Sequence, residues 1–113
     1  MLHFGILYSN PLVYIKNSKN NQKTAQLTSE PVDFVSECKM ILKSLQEQKK
    51  LLNIDIECAS VDQLANVIQK RPRILHIICH GEFDPEQGEY YLEFENQKAE
   101  LIKLTTSKLD EML

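Results

Sequence analysis

The chain of 113 residues has no apolar run approaching the roughly 18 residues of a membrane span, and its N-terminus lacks a charged segment leading into an uninterrupted apolar core. Spanning helices and a cleaved secretory leader are therefore not expected, and the chain reads as intracellular, cytoplasmic or nuclear. A dense basic run is missing as well. Thirteen Lys and Arg against sixteen Asp and Glu give a formal charge of −3, with the basic residues scattered. Nucleic acid is thus not an electrostatically favoured partner. Only three cysteines occur, Cys38, Cys58 and Cys79, an odd number without a Cys-x-x-Cys pair, each among apolar neighbours. They read as reduced core thiols rather than as a disulfide or zinc framework.

What is present is enough for one small domain. Hydrophobic residues make up 42% of the chain, and at this length about 65% of the unfolded surface can be buried. The order of elements is legible from periodicity. Residues 2–8 form an apolar run suited to a buried, central first strand that stops at Ser9-Asn10-Pro11. Residues 17–29 hold one large apolar side chain and read as a mobile loop. A long helix is expected next, with Ser29 as N-cap, Pro31 in its first turn, and Phe34, Cys38, Ile41, Leu42, Leu45 and Leu52 as its buried stripe.

Residues 53–59 alternate Ile54, Ile56 and Cys58 against Asp55 and Glu57, the period of an edge strand. Ser60 and Gln63 form a capping box for a second helix with stripe Leu64, Val67 and Ile68, ended by Pro72. Residues 73–79 are apolar on both faces, as in a central parallel strand between helical layers. Beyond Gly81, strands over 90–95 and 99–104 predict a hairpin attached to the sheet. Thr105 or Thr106 then caps a third helix with stripe Leu109, Met112 and Leu113. The sum is an α/β fold, a three-layer Rossmann-like unit with a mainly parallel sheet plus a β-hairpin, expected to be a truncated, partial domain.

Reactive groups in open parallel sheets collect at the carboxyl ends of strands. His80 and Gly81 sit at such an end. His80 is the candidate general base or acid, and Gly81 the residue whose amide can approach a reacting carbonyl oxygen without a side chain in the way. Asn10, ending the first strand, and Glu82 are candidate pocket residues. Cys79 should point away from the imidazole, since successive strand side chains alternate faces, and Cys58 should lie roughly 10 Å from the His80 strand at ~4.8 Å per strand step. His76 and His80 do not read as a metal pair, because a three-residue gap converges on a helix and spans about 13 Å on a strand.

The block Ile-Leu-His-Ile-Ile-Cys-His-Gly-Glu-Phe-Asp at 74–84, then Glu-Tyr-Tyr-Leu-Glu-Phe-Glu-Asn at 89–96, then Leu-Thr-Thr-Ser-Lys-Leu at 104–109, resembles the CHAT family of caspase-like cysteine peptidase domains. The opening Ile-Leu-Tyr-Ser-Asn-Pro-Leu at 6–12 looks like that family's first strand and turn. The resemblance implies a cysteine endopeptidase fold in which His80 pairs with a thiolate and Gly81 lends its amide. It places the nucleophile on a strand after the third helix, outside this chain, so the chain alone is expected to be inactive.

No cofactor and no metal are implied. The implied partners are a protein or peptide substrate and the remainder of the same domain, with neither nucleic acid nor membrane. Two other readings stay open: a non-catalytic binding or scaffold module of the same fold, and an unrelated receiver or TIR-like signalling domain. Against a receiver, Leu7-Tyr8-Ser9-Asn10 lacks the acidic residues that would follow its first strand.

Overall fold

The computed structural model describes residues 2–17, 23–27, 33–47 and 52–113. In chain order these form β1 (Leu2–Tyr8), β2 (Val13–Asn17), β3 (Lys23–Leu27), α1 (Phe34–Glu47), β4 (Leu52–Cys58), α2 (Val61–Gln69), β5 (Ile74–Ile78), β6 (Gly81–Asp84), β7 (Glu89–Glu95), β8 (Leu101–Thr105) and α3 (Thr106–Met112). The parallel sheet has the order β4-β1-β5, with Ile6 facing Ile56 on one side and His76 on the other. The expectation of a central first strand holds, and so does the placement of β4 across β1 from β5. The α/β class with its parallel sheet is as expected. Among the described residues β5 pairs on one side only, and Ile74 is 54% exposed.

Strand alternation divides β1 between two cores. Phe4 and Ile6 face α1, where Cys38 and Ile78 are buried with them and Phe34, Ile41 and Leu45 pack alongside. The Tyr8 and Phe34 rings stack at 4.1 Å. Leu7 faces the opposite way, into a cluster with Ala59, Leu64, Val67, Phe94 and Leu104. Each of the large side chains there contributes about 1.5–3 kcal/mol by leaving water. Gly5 is what lets α2 approach this closely: a Cβ on it would stand 2.8 Å from Val67 Cγ1.

Local signals explain the helix ends. The Ser60 hydroxyl accepts from the Gln63 N–H at 3.1 Å, as the capping box requires. Arg71, after the helix, takes the left-handed conformation at φ 50° and donates its N–H to the Ile68 carbonyl. Thr105 caps α3, accepting from the Lys108 N–H.

Four expectations change. First, α1 begins at Phe34, where the Asp33 carboxylate accepts from the Ser36 N–H at 3.1 Å. Ser29 and Pro31 lie outside the described residues. Second, Leu52 opens β4 rather than closing the helical stripe. Third, residues 13–17 pair antiparallel with 23–27, where composition predicts a loop over 17–29; residues 18–22, 28 and 29 of that loop lie outside the described residues. A ladder is held by backbone hydrogen bonds, which apolar content does not report.

Fourth, the expected hairpin is a three-stranded antiparallel sheet of its own, β6-β7-β8. It is joined to the parallel sheet through the Glu95 N–H on the Ala59 carbonyl at 3.0 Å. Its apolar face carries Phe94 and Leu104 into the α2-side core, and Leu109 and Met112 of α3 pack against the same cluster. Leu109 and Met112 of the α3 stripe are thus partly buried, while Leu113 is 77% exposed.

Candidate functional site

The parallel sheet delivers its carboxyl ends to one edge. There the Ala59 N–H donates to the Tyr8 carbonyl and the Ser9 N–H to the Ile78 carbonyl, which tie the exits of β4, β1 and β5 together. His80 leaves this edge two residues after β5 and is half-buried, and Gly81 opens β6. Gly81 stands opposite Leu92 in the β6–β7 ladder. One position earlier the Glu93 N–H donates to the His80 carbonyl at 2.9 Å. Hydrogen-bonded and non-hydrogen-bonded pairs alternate along an antiparallel ladder, so Gly81 occupies a non-bonded pair and turns its N–H away from β7. A Cβ on Gly81 would meet the Tyr91 carbonyl oxygen at 3.4 Å, so packing alone does not require glycine here.

The other candidates divide. Glu82 lies on β6 two residues past His80, and its carboxylate accepts from the Tyr91 hydroxyl at 3.1 Å. Asn10 follows Ser9, which is bonded to the β5 exit, and its own N–H donates to Glu95 Oε2 at 3.2 Å. Glu95 also accepts from the Cys58 thiol. Beside that pair opens a cavity of about 780 Å³, lined by Cys58, Ser60, Gln63, Glu95, Lys98 and Ile102. It adjoins the β4 exit, with β1 between it and the β5 exit.

None of the three thiols is prepared as a nucleophile, which requires a lowered pKa. Burial and then the Glu95 contact push Cys58 up to about 12, and burial pushes Cys79 up to about 11. Burial raises Cys38 too. Cys79 packs against the α2-side core, on the side the alternation of β5 assigns to it. His76 lies on the opposite face, with Nε2 2.9 Å from Glu37 Oε1 of α1. It ties the helix to the strand.

The sequence did not disclose the polar face of the β6-β7-β8 sheet. Register puts Glu82 opposite Tyr91, Asp84 opposite Glu89, and Glu93 opposite Lys103. Side chains of facing residues share one face of a sheet. Alternation of charge with Leu92 and Phe94 suggests a water-facing side, yet Asp84 is 8% and Glu93 4% exposed. The β2–β3 hairpin approaches this face, with the Tyr14 ring 5.3 Å from Lys103 Nζ. On its other flank the amine sits 4.9 Å from the Tyr91 ring and 3.0 Å from Asp84 Oδ2. Lys103 holds the Asp84 carboxyl below the usual range.

Among the described residues no cation is bonded to Glu93 in this way. Its Oε2 is buried without a hydrogen-bond partner, and burial holds its carboxyl above the usual range, opposed by His80 and reinforced by Glu82. Among the described residues no three His, Cys, Asp or Glu side chains converge as a metal centre would need. No helix among them is long and apolar enough to cross a membrane.

The family model of the CHAT domain matches residues 8–113 of the chain. No curated protein matches it, and no solved structure does.

Proposed function

The chain belongs to the CHAT domain family, and on that premise we propose that it carries the histidine and oxyanion half of a caspase-like cysteine endopeptidase site, acting on a protein or peptide substrate. His80 serves as the base that takes the proton of a cysteine thiol and returns it to the leaving amine. The Gly81 N–H donates to the carbonyl oxygen as it gains charge. The observation that supports this most is the placement of His80 at the carboxyl exit of β5, directly before an amide that the β6–β7 ladder turns outward. The nucleophile comes from another segment or chain, because Cys38, Cys58 and Cys79 are all held as thiols. This 113-residue chain is therefore inactive by itself. The family match weighs against a receiver or TIR-like domain.

The test uses the whole open reading frame that encodes this sequence, assayed on a panel of fluorogenic peptides and with a thiol-directed affinity label. Turnover and labelling should both be lost in His80→Ala while the melting temperature stays unchanged. Hydrolysis that survives His80→Ala would overturn the proposal. Absence of any turnover or labelling in the unmodified protein would instead favour the non-catalytic binding module.

A further inference from the structure

A buried carboxylate with an unpartnered oxygen is costly, on the order of 1–3 kcal/mol even for an ordinary polar group, and Glu93 is such a residue at 4% exposure. It lies in the second strand of a ladder whose register can be followed residue by residue. Gly81 faces Leu92, and the bond from the Glu93 N–H to the His80 carbonyl carries the pairing one step further. His80 and Glu93 are therefore cross-strand neighbours, and directly opposed side chains on an antiparallel pair start from Cβ atoms about 4.5–5.5 Å apart. Rotation about side-chain torsions is enough to bring a carboxylate oxygen onto an imidazole N–H.

Among the described residues the other charged groups do not compete for that oxygen. Lys103, opposite Glu93 on β8, is bonded to Asp84 at 3.0 Å and caged by the Tyr14 and Tyr91 rings. Glu82 of β6 is an anion and takes the Tyr91 hydroxyl. The Cys79 thiol, which also senses Glu93, is neutral. With Lys103 engaged by Asp84, the basic group left for Glu93 is the imidazole.

We infer that Glu93 is the positioning residue of His80: its buried carboxylate accepts one imidazole N–H, fixes the tautomer and ring orientation, and leaves the other ring nitrogen to face the reacting thiol. The inference rests on the proposed peptidase site. When the thiol proton moves to that second nitrogen, the imidazole becomes an imidazolium beside an existing carboxylate. The proton then leaves on the amine, and no charge has to be brought in from water. A carboxylate kept dry for this purpose costs stability in the resting protein, which is the trade expected at a site built for reaction. Glu93 touches no reacting atom, so its effect passes through His80.

The test reads the His80 ring nitrogens by long-range proton–nitrogen correlation NMR on this chain above the imidazole titration, with His80→Gln for assignment. The unmodified chain should show two widely separated nitrogen shifts, the mark of one tautomer. Glu93→Gln, which keeps a carbonyl acceptor, should preserve that separation, while Glu93→Met, of similar length without an acceptor, should pull the two shifts toward their average. In the whole reading-frame product, turnover should fall about 100-fold in Glu93→Met with KM within twofold, the low end of what a misplaced base costs. Ring shifts that are identical in the unmodified and Glu93→Met chains, each shown folded by amide dispersion, would overturn the role of Glu93. That result is independent of whether any peptide is cleaved, which the His80→Ala assay decides separately.

Discussion

The Cys58 thiol donates to the Glu95 carboxylate, and the same carboxylate accepts from the Asn10 N–H. One side chain of β7 thus holds the exits of β4 and β1. A thiol that is a hydrogen-bond donor to a carboxylate is the reverse of a nucleophile, because the neighbouring negative charge and the burial both favour the neutral form. Cys58 is therefore not the nucleophile of the proposed site.

Alkylation measures that directly. With Cys58 raised from 9.0 to about 12, its thiolate fraction at neutral pH is about a thousandfold below that of an unperturbed thiol. Mass-spectrometric time courses with iodoacetamide should find Cys58 and Cys79 far slower than a denatured control. Glu95→Gln should accelerate Cys58 and leave Cys79 unchanged. Equal rates for Cys58 in both proteins would remove Glu95 from the account.

Gly5 sets the approach of α2 to the sheet. Gly5→Ala places a methyl 2.8 Å from Val67 Cγ1 and 3.2 Å from Leu75 Cδ1, and overpacking of this kind typically costs about 1–3 kcal/mol. Urea denaturation should show the loss, and Val67→Ala in the same chain should restore part of it by making room.

Ala99, in the turn between β7 and β8, holds φ at 58°, and its carbonyl accepts from the Leu12 N–H at 2.8 Å. The left-handed region costs a residue with a Cβ roughly 1–2 kcal/mol. Ala99→Gly should therefore recover about 1 kcal/mol, less the added freedom of the unfolded chain. Thermal melts should move upward; a fall would mean that the Ala99 methyl contributes packing.

The pH dependence of stability should carry the signature of Glu93. Its carboxyl lies above the usual range because it is buried, so the folded chain binds this proton more tightly than the unfolded one. The resulting stability is fully present below the unfolded value, near 4.3, and is lost as pH rises through the folded value. Glu93→Gln removes that loss. Its melting temperature should exceed that of the unmodified chain by more at neutral pH than at acid pH, and a uniform offset at every pH would contradict the assignment.

His76 should behave as a structural residue. The pair it forms with Glu37 is 37% and 45% exposed at the two side chains, so loss of the contact itself should cost under about 1 kcal/mol. Truncation in His76→Ala adds the loss of packing between α1 and β5. The melting temperature should drop in His76→Ala and hold in His80→Ala, with turnover following the opposite order.

Some of this was written in the residues. Ile54, Ile56 and Cys58 at period two, the Ser60–Gln63 pair, and the apolar run before His80 fix local conformation through side chains a few positions apart, and such signals survive without tertiary context. Asp33 caps α1 by accepting from the Ser36 N–H, a role that side-chain chemistry alone equally offers to Ser29, which lies outside the described residues. Residues 23–27 carry no legible strand period, because what defines this strand is its backbone ladder with residues 13–17.

From local periodicity and caps alone came β1, β4, β5 and α2, their parallel sheet, and the two residues at the β5 exit, whereas β2, β3 and β6 did not. Which charges are dry follows from packing between distant segments. Glu93 and Glu95 alternate with Leu92 and Phe94 as solvent-facing residues would. Yet one is buried on a face that the β2–β3 hairpin approaches, and the other is bound between two strand ends. Burial of a carboxylate depends on what the rest of the chain lays over it, and that is a property of packing between segments some eighty residues apart, as with Asn10 and Glu95, which no local pattern encodes.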